Sequence, residues 1–191
     1  ELVQKLKSYA VAGIVPEFID LKYLYVELQA NPYYNPSLND DPENLKTDVS
    51  NALTQYSRSI DVNKFGGRFK YSKAVSLIDG IDSSITSNIT LVTIRRNLKA
   101  VLGRFAQYEV CYGNMFHTQE SSYNIVSTGF TIEGVIGTVY LADEVINREK
   151  GRIFFFTYNE GGIPSIVKKN AGTVDYMHGE ILIDTVNILS T

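Results

Sequence analysis

The stretch PEFIDLKYLYVELQANPYYNPSLNDDPENL, residues 16–45, contains the change from strand to helix that decides the fold of the first half of the chain. Side chains of different character alternate over residues 19–30, which is typical of a β-strand with two unlike faces. The aliphatic face carries Leu24, Val26, Leu28 and Ala30, and the other face carries Tyr23, Tyr25, Glu27 and Gln29. The second face is therefore the one that water or a partner protein would cover.

Prolines mark the end of this strand and the beginning of a helix. The strand is predicted to span residues 16–34, and Pro32, Asn35 and Pro36 end its ladder, because proline donates no ladder hydrogen bond. Asp41-Pro42-Glu43 combines a capping carboxylate, a proline that suits the first helical position and an acid at the positive end of the helix dipole. The sequence predicts a helix over residues 42–59.

One side of this helix carries an apolar stripe at steps of four, four and three residues: Leu45, Val49, Leu53 and Tyr56. We expect the stripe to pack on the aliphatic face of the strand, with Leu53 fully buried and Lys46 facing away. Ser72 begins a second, short helix that ends at Gly80, and the β-branched residues 85–94 predict another strand. The order is a βααβ unit.

The start of the chain has helical spacing over residues 2–10, with Gly13 as the stop. Because the chain begins at Glu1, we expect it to be a piece of a longer protein.

From Ala100 onwards the chain is rich in β-strand patterns, at residues 104–112, 123–132, 135–141, 152–158 and 180–189, with 143–149 as a helical turn or polar connector. Residues 170–183 predict a hairpin whose turn spans 175–179, where Gly179 can adopt a positive φ. The fold class is therefore α+β, a βααβ unit followed by a mainly antiparallel β region. The expected domains are residues 1–113 and 114–191, with the boundary near 112–116.

Aromatic residues point to protein contacts. The chain has 13 Tyr, 9 Phe and no Trp, and tyrosine suits half-wet surfaces. The run Phe154-Phe155-Phe156 is so apolar that its strand must be central, sandwiched or covered by another chain. The candidate interface residues are Tyr23, Tyr25, Phe154, Phe155 and Phe156, and we expect a homodimer.

Composition excludes several function classes. A net charge of −3 leaves no basic excess for nucleic acid, and no apolar run approaches the ~20 residues that span a bilayer. The single cysteine, Cys111, allows no internal disulfide and is expected to be a buried thiol, made in a reducing compartment such as a bacterial cytoplasm.

Catalytic signals are weak. His117 and His178 have no zinc-site spacing, so we predict no metal, no cofactor and no catalytic residue. A Cys111–His117 nucleophile pair stays open, because such pairs meet only in space. The basic run Arg95-Arg96-Asn97-Leu98-Lys99 is interpreted as a solvated strand end. The alternative is a binding site for an acidic partner. A hydrolase needs two carboxylates, and the spacing of the available acids does not single out a pair. These acids are Glu17, Asp20, Glu27, Glu109 and Glu133.

Residues 1–97 resemble the C-terminal part of baseplate J-like proteins. The resemblance depends on the strand Pro16-Glu17-Phe18-Ile19-Asp20-Leu21-Lys22-Tyr23, followed by a helix starting at Pro42-Glu43, a loop ending at Phe65-Gly66, a Ser-led helix at 72–78 and a strand at 89–94.

Within that family the sequence is most similar to the wedge proteins of contractile-tailed phages. The resemblance implies a structural protein of the virion tail baseplate, assembled in the bacterial cytoplasm, whose partners are itself and other wedge proteins. In the family, paired copies join wedges into a ring around the hub, and the ring changes shape at infection. No catalytic or metal-binding residues carry over. The alternatives are a receptor- or carbohydrate-binding module and a cell-wall hydrolase with two facing carboxylates.

Overall fold

The computed structural model describes residues 23–191, together with Lys5. It divides the chain into two compact units, Glu1–Arg95 and Arg96–Thr191. The described residues form two helices and eight strands, mostly antiparallel, so the predicted α+β class is confirmed. The helix predicted at residues 2–10 and the part of the first strand before Tyr23 lie outside the described residues.

The first unit has the predicted βααβ order. Its elements are β1 (Tyr25–Tyr34), α1 (Pro42–Arg58), α2 (Tyr71–Asp79) and β2 (Ile85–Arg95). The two strands pair antiparallel along their whole length, so that Tyr25 lies opposite Arg95 and Leu28 lies opposite Val92.

The end of β1 at Tyr34 agrees with the prediction, but Pro32 does not end its ladder. The strand continues to Tyr34, and Pro32 pairs with Asn88 of β2. In the part of the chain that the structure describes, β1 has β2 as its only strand neighbour. An edge strand tolerates a proline, since the missing N–H faces away from the ladder. The chain turns only at Asn35.

Helix α1 begins as predicted, and the side chain of Asp41 accepts a hydrogen bond of 3.0 Å from the backbone N–H of Asn44. Lys46 is exposed, also as predicted. The prediction for Leu53 is wrong: it is only partly buried, whereas the other stripe residues are buried, namely Leu45, Val49 and Tyr56. The reason is that α1 packs against α2, and it is α2 that packs against β2.

Helix α2 covers one face of the β1–β2 sheet, the face that carries Asn88 and Thr90. The Tyr71 hydroxyl donates a 3.1 Å hydrogen bond to the Thr90 carbonyl oxygen. The Asn88 side-chain amide donates one of 2.5 Å to the Asp79 carboxylate. Ala74 and Ile78 of α2 are fully buried. We call this the inner face and the opposite face, which carries Tyr25 and Tyr33, the outer face.

The second unit is one antiparallel sheet with strand order β3-β8-β7-β6-β5, and a short β4 also pairs with the end of β8. The strands are β3 (Phe105–Cys111), β4 (Thr131–Ile132), β5 (Tyr140–Val145), β6 (Lys150–Tyr158), β7 (Pro164–Asp175) and β8 (Glu180–Ser190).

The division between the units falls earlier than the predicted boundary near residue 113. Strand β3 was assigned to the first domain, but it pairs with β8, the last strand of the chain. Pairing with β8 makes β3 part of the second unit, so the structural division lies at Arg95/Arg96.

Three stretches of the second unit differ from their predictions. The strand predicted over residues 123–132 is reduced to β4 and to single bridges from Val126 and Phe130 to the β5 region. Asp143, assigned to a turn or connector, lies inside β5. The predicted hairpin is confirmed, with Gly179 at φ 66°, although β7 begins earlier, at Pro164.

The sheet is apolar on both sides of β6, its second strand from the β5 edge. Ile153 and Phe155 belong to the larger core, together with Tyr176 and Val174, whereas Phe154 and Phe156 pack with Ala142 in a smaller cluster. No helix within residues 23–191 is both long and apolar enough to cross a bilayer.

Candidate interfaces

The outer face of β1–β2 exposes several apolar side chains. The strand alternation presents Tyr25, Tyr33, Ile89 and Leu91 on this face, with exposed fractions of 39%, 54%, 54% and 58%. Tyr23, just before β1, is 63% exposed, and its ring centroid lies 6.4 Å from that of Tyr25. The two tyrosines predicted as interface residues are therefore adjacent and accessible.

A charged pair lies at one end of this face. Arg95 Nε lies 2.6 Å from Glu27 Oε1, and the Arg95 guanidinium sits 4.6 Å from the centroid of the Tyr25 ring. A cation above an aromatic ring is attracted to its negative face. Arg95 is also the last residue of β2, so the interpretation of the basic run as a strand end is confirmed at this residue.

Phe154, Phe155 and Phe156, the other three predicted interface residues, are buried inside the second unit. Their exposed fractions are 5%, 0% and 4%. Strand β6 lies between β5 and β7, and both sides of it are covered within the second unit. Of the three ways to hide this run, the fold uses the central position, and no second chain is needed for it.

Aromatic side chains cluster on the side of the sheet that carries Phe154 and Phe156. Neighbouring ring centroids lie 5.1–6.3 Å apart, which is the spacing of tilted and edge-to-face pairs. We call this group the aromatic cluster: Tyr123, Tyr140, Phe154, Phe156 and Tyr158. Tyr123 and Tyr158 are 51% and 53% exposed, so their rings are the part that a ligand can reach.

A buried carboxylate holds the segment that carries Tyr123. Asp143 is 1% exposed and accepts four hydrogen bonds. The donors are the backbone N–H groups of Asn124 and Ile125 at 2.7 and 2.8 Å, the Asn124 side-chain amide at 3.1 Å and the Tyr176 hydroxyl at 2.6 Å. Asp143 thus fixes the backbone next to Tyr123, and with it the aromatic cluster.

Tyr176 belongs to the same hydrogen-bonded site as Asp143. Burial, followed by the hydrogen bond to Asp143 and the charge of Asp143, raises the pKa of Tyr176. Its hydroxyl therefore remains a donor at neutral pH. A Cβ at Gly151 would lie 2.1 Å from the Tyr176 hydroxyl oxygen, so only glycine leaves room for this ring. In the sequence, the one sign of this site is that Asp143 directly follows the apolar residues Leu141 and Ala142.

His178 takes part in the β7–β8 turn. Its Nδ1 lies 3.0 Å from Asp175 Oδ2, and its backbone N–H donates to Asp175 Oδ1. The hydrogen bond and charge of Asp175 raise the pKa of His178 above 6.5, whereas the same contacts, led by the backbone N–H, lower the pKa of Asp175 below 3.8. The His178 contribution to stability is complete below pH 6.5 and is lost as the pH rises through its raised pKa. The Asp175 contribution is lost as the pH falls through its lowered pKa.

We predict that Asp175→Asn lowers the pKa of His178, because it removes the charge that stabilises the imidazolium. The measurement is an NMR titration of the His178 ring in both proteins. Asp184→Asn, a change at an exposed acid on β8, is the control and should leave the His178 midpoint in place. An unchanged midpoint in Asp175→Asn would contradict the assigned contact.

Structural partners are found for four further residues considered for catalysis: Cys111, Glu109, Glu27 and Glu133. Cys111 is half-buried rather than buried, and its Sγ lies 3.4 Å from Glu109 Oε1. Glu27 pairs with Arg95, and Glu133 accepts a 2.8 Å hydrogen bond from Asn187. Glu17 and Asp20 lie outside the described residues. Within residues 23–191, no group of three His, Cys, Asp or Glu side chains is arranged to hold a metal ion.

Comparison with known protein families found a match in the first unit. Residues 22–97 match the family described as Baseplate structural protein gp6, C-terminal domain III. A search of curated proteins found no match. The matched residues coincide with the βααβ unit, which runs to Arg95. The family is a structural one, and the match places this protein in the tail baseplate of a virion.

Proposed function

We propose that this chain is a structural component of a contractile phage tail baseplate, which associates with itself and joins wedge subunits into a ring around the hub. The observation that carries the proposal is the family match over residues 22–97. In the matched unit, helix α2 covers the inner face of the β1–β2 sheet, and the outer face is exposed. The outer face is the surface that we assign to the contact between copies.

The size of the outer face sets the strength of this contact. Strand β1 has ten residues, so the face is about 34 Å long and about 10 Å wide, roughly 340 Å² in projection. A stable standard interface buries about 800 Å² on each partner. The face alone therefore supports a weak dimer. In a ring, repeated weak contacts add up through high effective concentration.

We predict that the chain is a concentration-dependent dimer at tens of micromolar and that Leu91→Glu shifts it to monomer. A charge in the centre of the face has to be desolvated when the copies meet. Light scattering coupled to size-exclusion chromatography measures the mass. The matched control is Ile166→Glu, because Ile166 also lies on a strand and is also 58% exposed, but in the second unit.

The comparison of the two variants locates the contact. Loss of the dimer in Leu91→Glu alone supports the outer face. A wild-type chain that is monomeric throughout this range contradicts self-association, and loss in Ile166→Glu alone moves the contact to the second unit.

The aromatic cluster favours a second candidate function, a receptor- or carbohydrate-binding module. Half-exposed tyrosine rings above buried phenylalanines, as in Tyr123 over Phe154, provide a rigid aromatic platform. A glycan array probed with the whole chain and with Tyr123→Ala separates this function from assembly alone.

A further inference from the structure

The strongest unassigned feature is a basic pocket between the C-terminal end of α1 and the start of α2. Its volume is about 240 Å³, and it is lined by Tyr56, Asp61, Lys64, Gly66, Arg68, Lys70 and Lys73. Four of these residues are cationic and one is anionic, which gives an excess of three positive charges. The whole chain, in contrast, carries a net charge of −3. The pocket is thus positive although the chain as a whole is negative.

The single carboxylate of the pocket is already engaged. Lys73 Nζ lies 2.7 Å from Asp61 Oδ2 and 5.4 Å from the centroid of the Tyr56 ring. The hydrogen bond and charge of Lys73 lower the pKa of Asp61, and the charges of Lys64 and Lys70 lower it further. Asp61 therefore stays ionised and neutralises Lys73, leaving the charge of the other three cations uncompensated.

Those three cations are Lys64, Arg68 and Lys70. Within residues 23–191, none of them lies within ion-pair distance of a carboxylate. Two arginines elsewhere in the chain are paired instead, Arg95 with Glu27 and Arg152 with Glu144. Like charges brought together repel, and an anionic ligand would relieve that repulsion.

Hydrogen bonds within the chain hold the wall of the pocket in place without a ligand. The loop after α1 closes on itself through the backbone N–H of Arg68, which donates to the Asp61 carbonyl oxygen at 3.0 Å. The backbone N–H of Lys70 donates to the Tyr56 hydroxyl at 3.2 Å, which ties the start of α2 to α1. A Cβ at Gly67 would lie 2.1 Å from the Val62 carbonyl oxygen, so the loop is tightly folded there. Preorganisation of this kind lowers the entropy cost of binding.

We propose that this pocket binds an acidic segment of a neighbouring protein, through carboxylates spaced along an extended chain. That the neighbour belongs to the baseplate rests on the proposed function. Lysine ammonium groups on long, flexible stems act as separate point charges. They spread the positive charge around the rim, which fits several carboxylates of a peptide better than one compact oxyanion. The rim is exposed, so binding is weak and sensitive to salt.

The test measures fluorescence anisotropy of a dye-labelled peptide of alternating Glu and Gly, titrated with the whole chain at low salt. The comparison peptide replaces every Glu by Gln and carries the same dye. We expect the Glu peptide to bind and the Gln peptide not to bind. Lys70→Glu should weaken binding about fivefold, because it removes one attraction and adds one repulsion at an exposed site. Lys46→Glu changes the net charge equally on α1 and should change binding less than about twofold.

Four outcomes overturn the proposal: no binding of the Glu peptide, equal binding of the Gln peptide, equal weakening by Lys46→Glu, or displacement by inorganic phosphate at constant ionic strength. The last outcome would identify a site for small oxyanions. Light scattering on Lys70→Glu separates this proposal from the previous one. If Lys70→Glu still forms the dimer but no longer binds the peptide, the substitution affects only the pocket. If the wild-type chain is monomeric and binds the peptide, only self-association is contradicted.

Discussion

Asp143→Ala is expected to lower the free energy of unfolding of the second unit by about 3–5 kcal/mol. The change leaves the Tyr176 hydroxyl and the backbone N–H groups of Asn124 and Ile125 without their acceptor. Each unsatisfied buried donor costs about 1–3 kcal/mol. The expected total lies below the largest sum, because Asn124 and Ile125 are half-buried and water can reach them.

Chemical denaturation followed by tyrosine fluorescence measures this loss. Asp184→Ala is the matched control, since Asp184 is an exposed aspartate on β8, and it should change stability by less than about 0.5 kcal/mol. Tyr176→Phe removes one of the four donors and should cost less than Asp143→Ala. If Asp143→Ala and Asp184→Ala unfold at the same denaturant concentration, Asp143 does not hold the segment at Tyr123.

Gly179→Ala is expected to destabilise the second unit by about 2–5 kcal/mol, for two reasons that add. Gly179 has φ 66°, and an L-residue pays about 1–2 kcal/mol in this left-handed region. In addition, a Cβ at Gly179 would lie 1.9 Å from the Asn114 carbonyl oxygen. Because that oxygen belongs to the backbone, a loop has to move, and overpacking of this kind costs about 1–3 kcal/mol.

Gly161→Ala provides the control for glycine replacement itself. Gly161 lies in an exposed turn at negative φ, and an added Cβ would meet only the Asn159 side-chain oxygen at 3.4 Å. We expect a change within about 1 kcal/mol, and it can be stabilising, since alanine restricts the unfolded chain. Thermal unfolding of both variants compares the two positions. Similar melting temperatures would mean that the β7–β8 turn relaxes around the added methyl group.

Local chemistry determined much of the first unit. The capping side chain of Asp41, the proline after it and the apolar steps from Leu45 to Val49 predicted α1 correctly, because helix caps and amphipathic stripes are set by residues within one or two turns. The alternation around Tyr25 predicted the exposed outer face for the same reason, since successive side chains of a strand point to opposite sides. The turn at Gly179 is also a local property.

The tertiary structure decided which of these surfaces are covered. The run from Phe154 to Phe156 is apolar wherever it lies, but only its place between β5 and β7 shows that the fold itself buries it. Leu53 follows the helical stripe, yet its burial depends on where α2 packs. Neither outcome is encoded within a few residues, because each depends on an element distant in the chain.

The same holds for the two sites that sequence reasoning did not find. Asp143 meets Tyr176, a residue 33 positions later, only because β5, β6 and β7 are neighbours in the sheet. The basic pocket forms because the loop after α1 folds back onto the start of α2, which gathers Lys64, Arg68 and Lys70. The sequence by itself determined the elements of the first unit and their order, since these depend on neighbouring residues. Only the tertiary structure decided the buried carboxylate and the charged pocket, because they are made by residues that meet through packing.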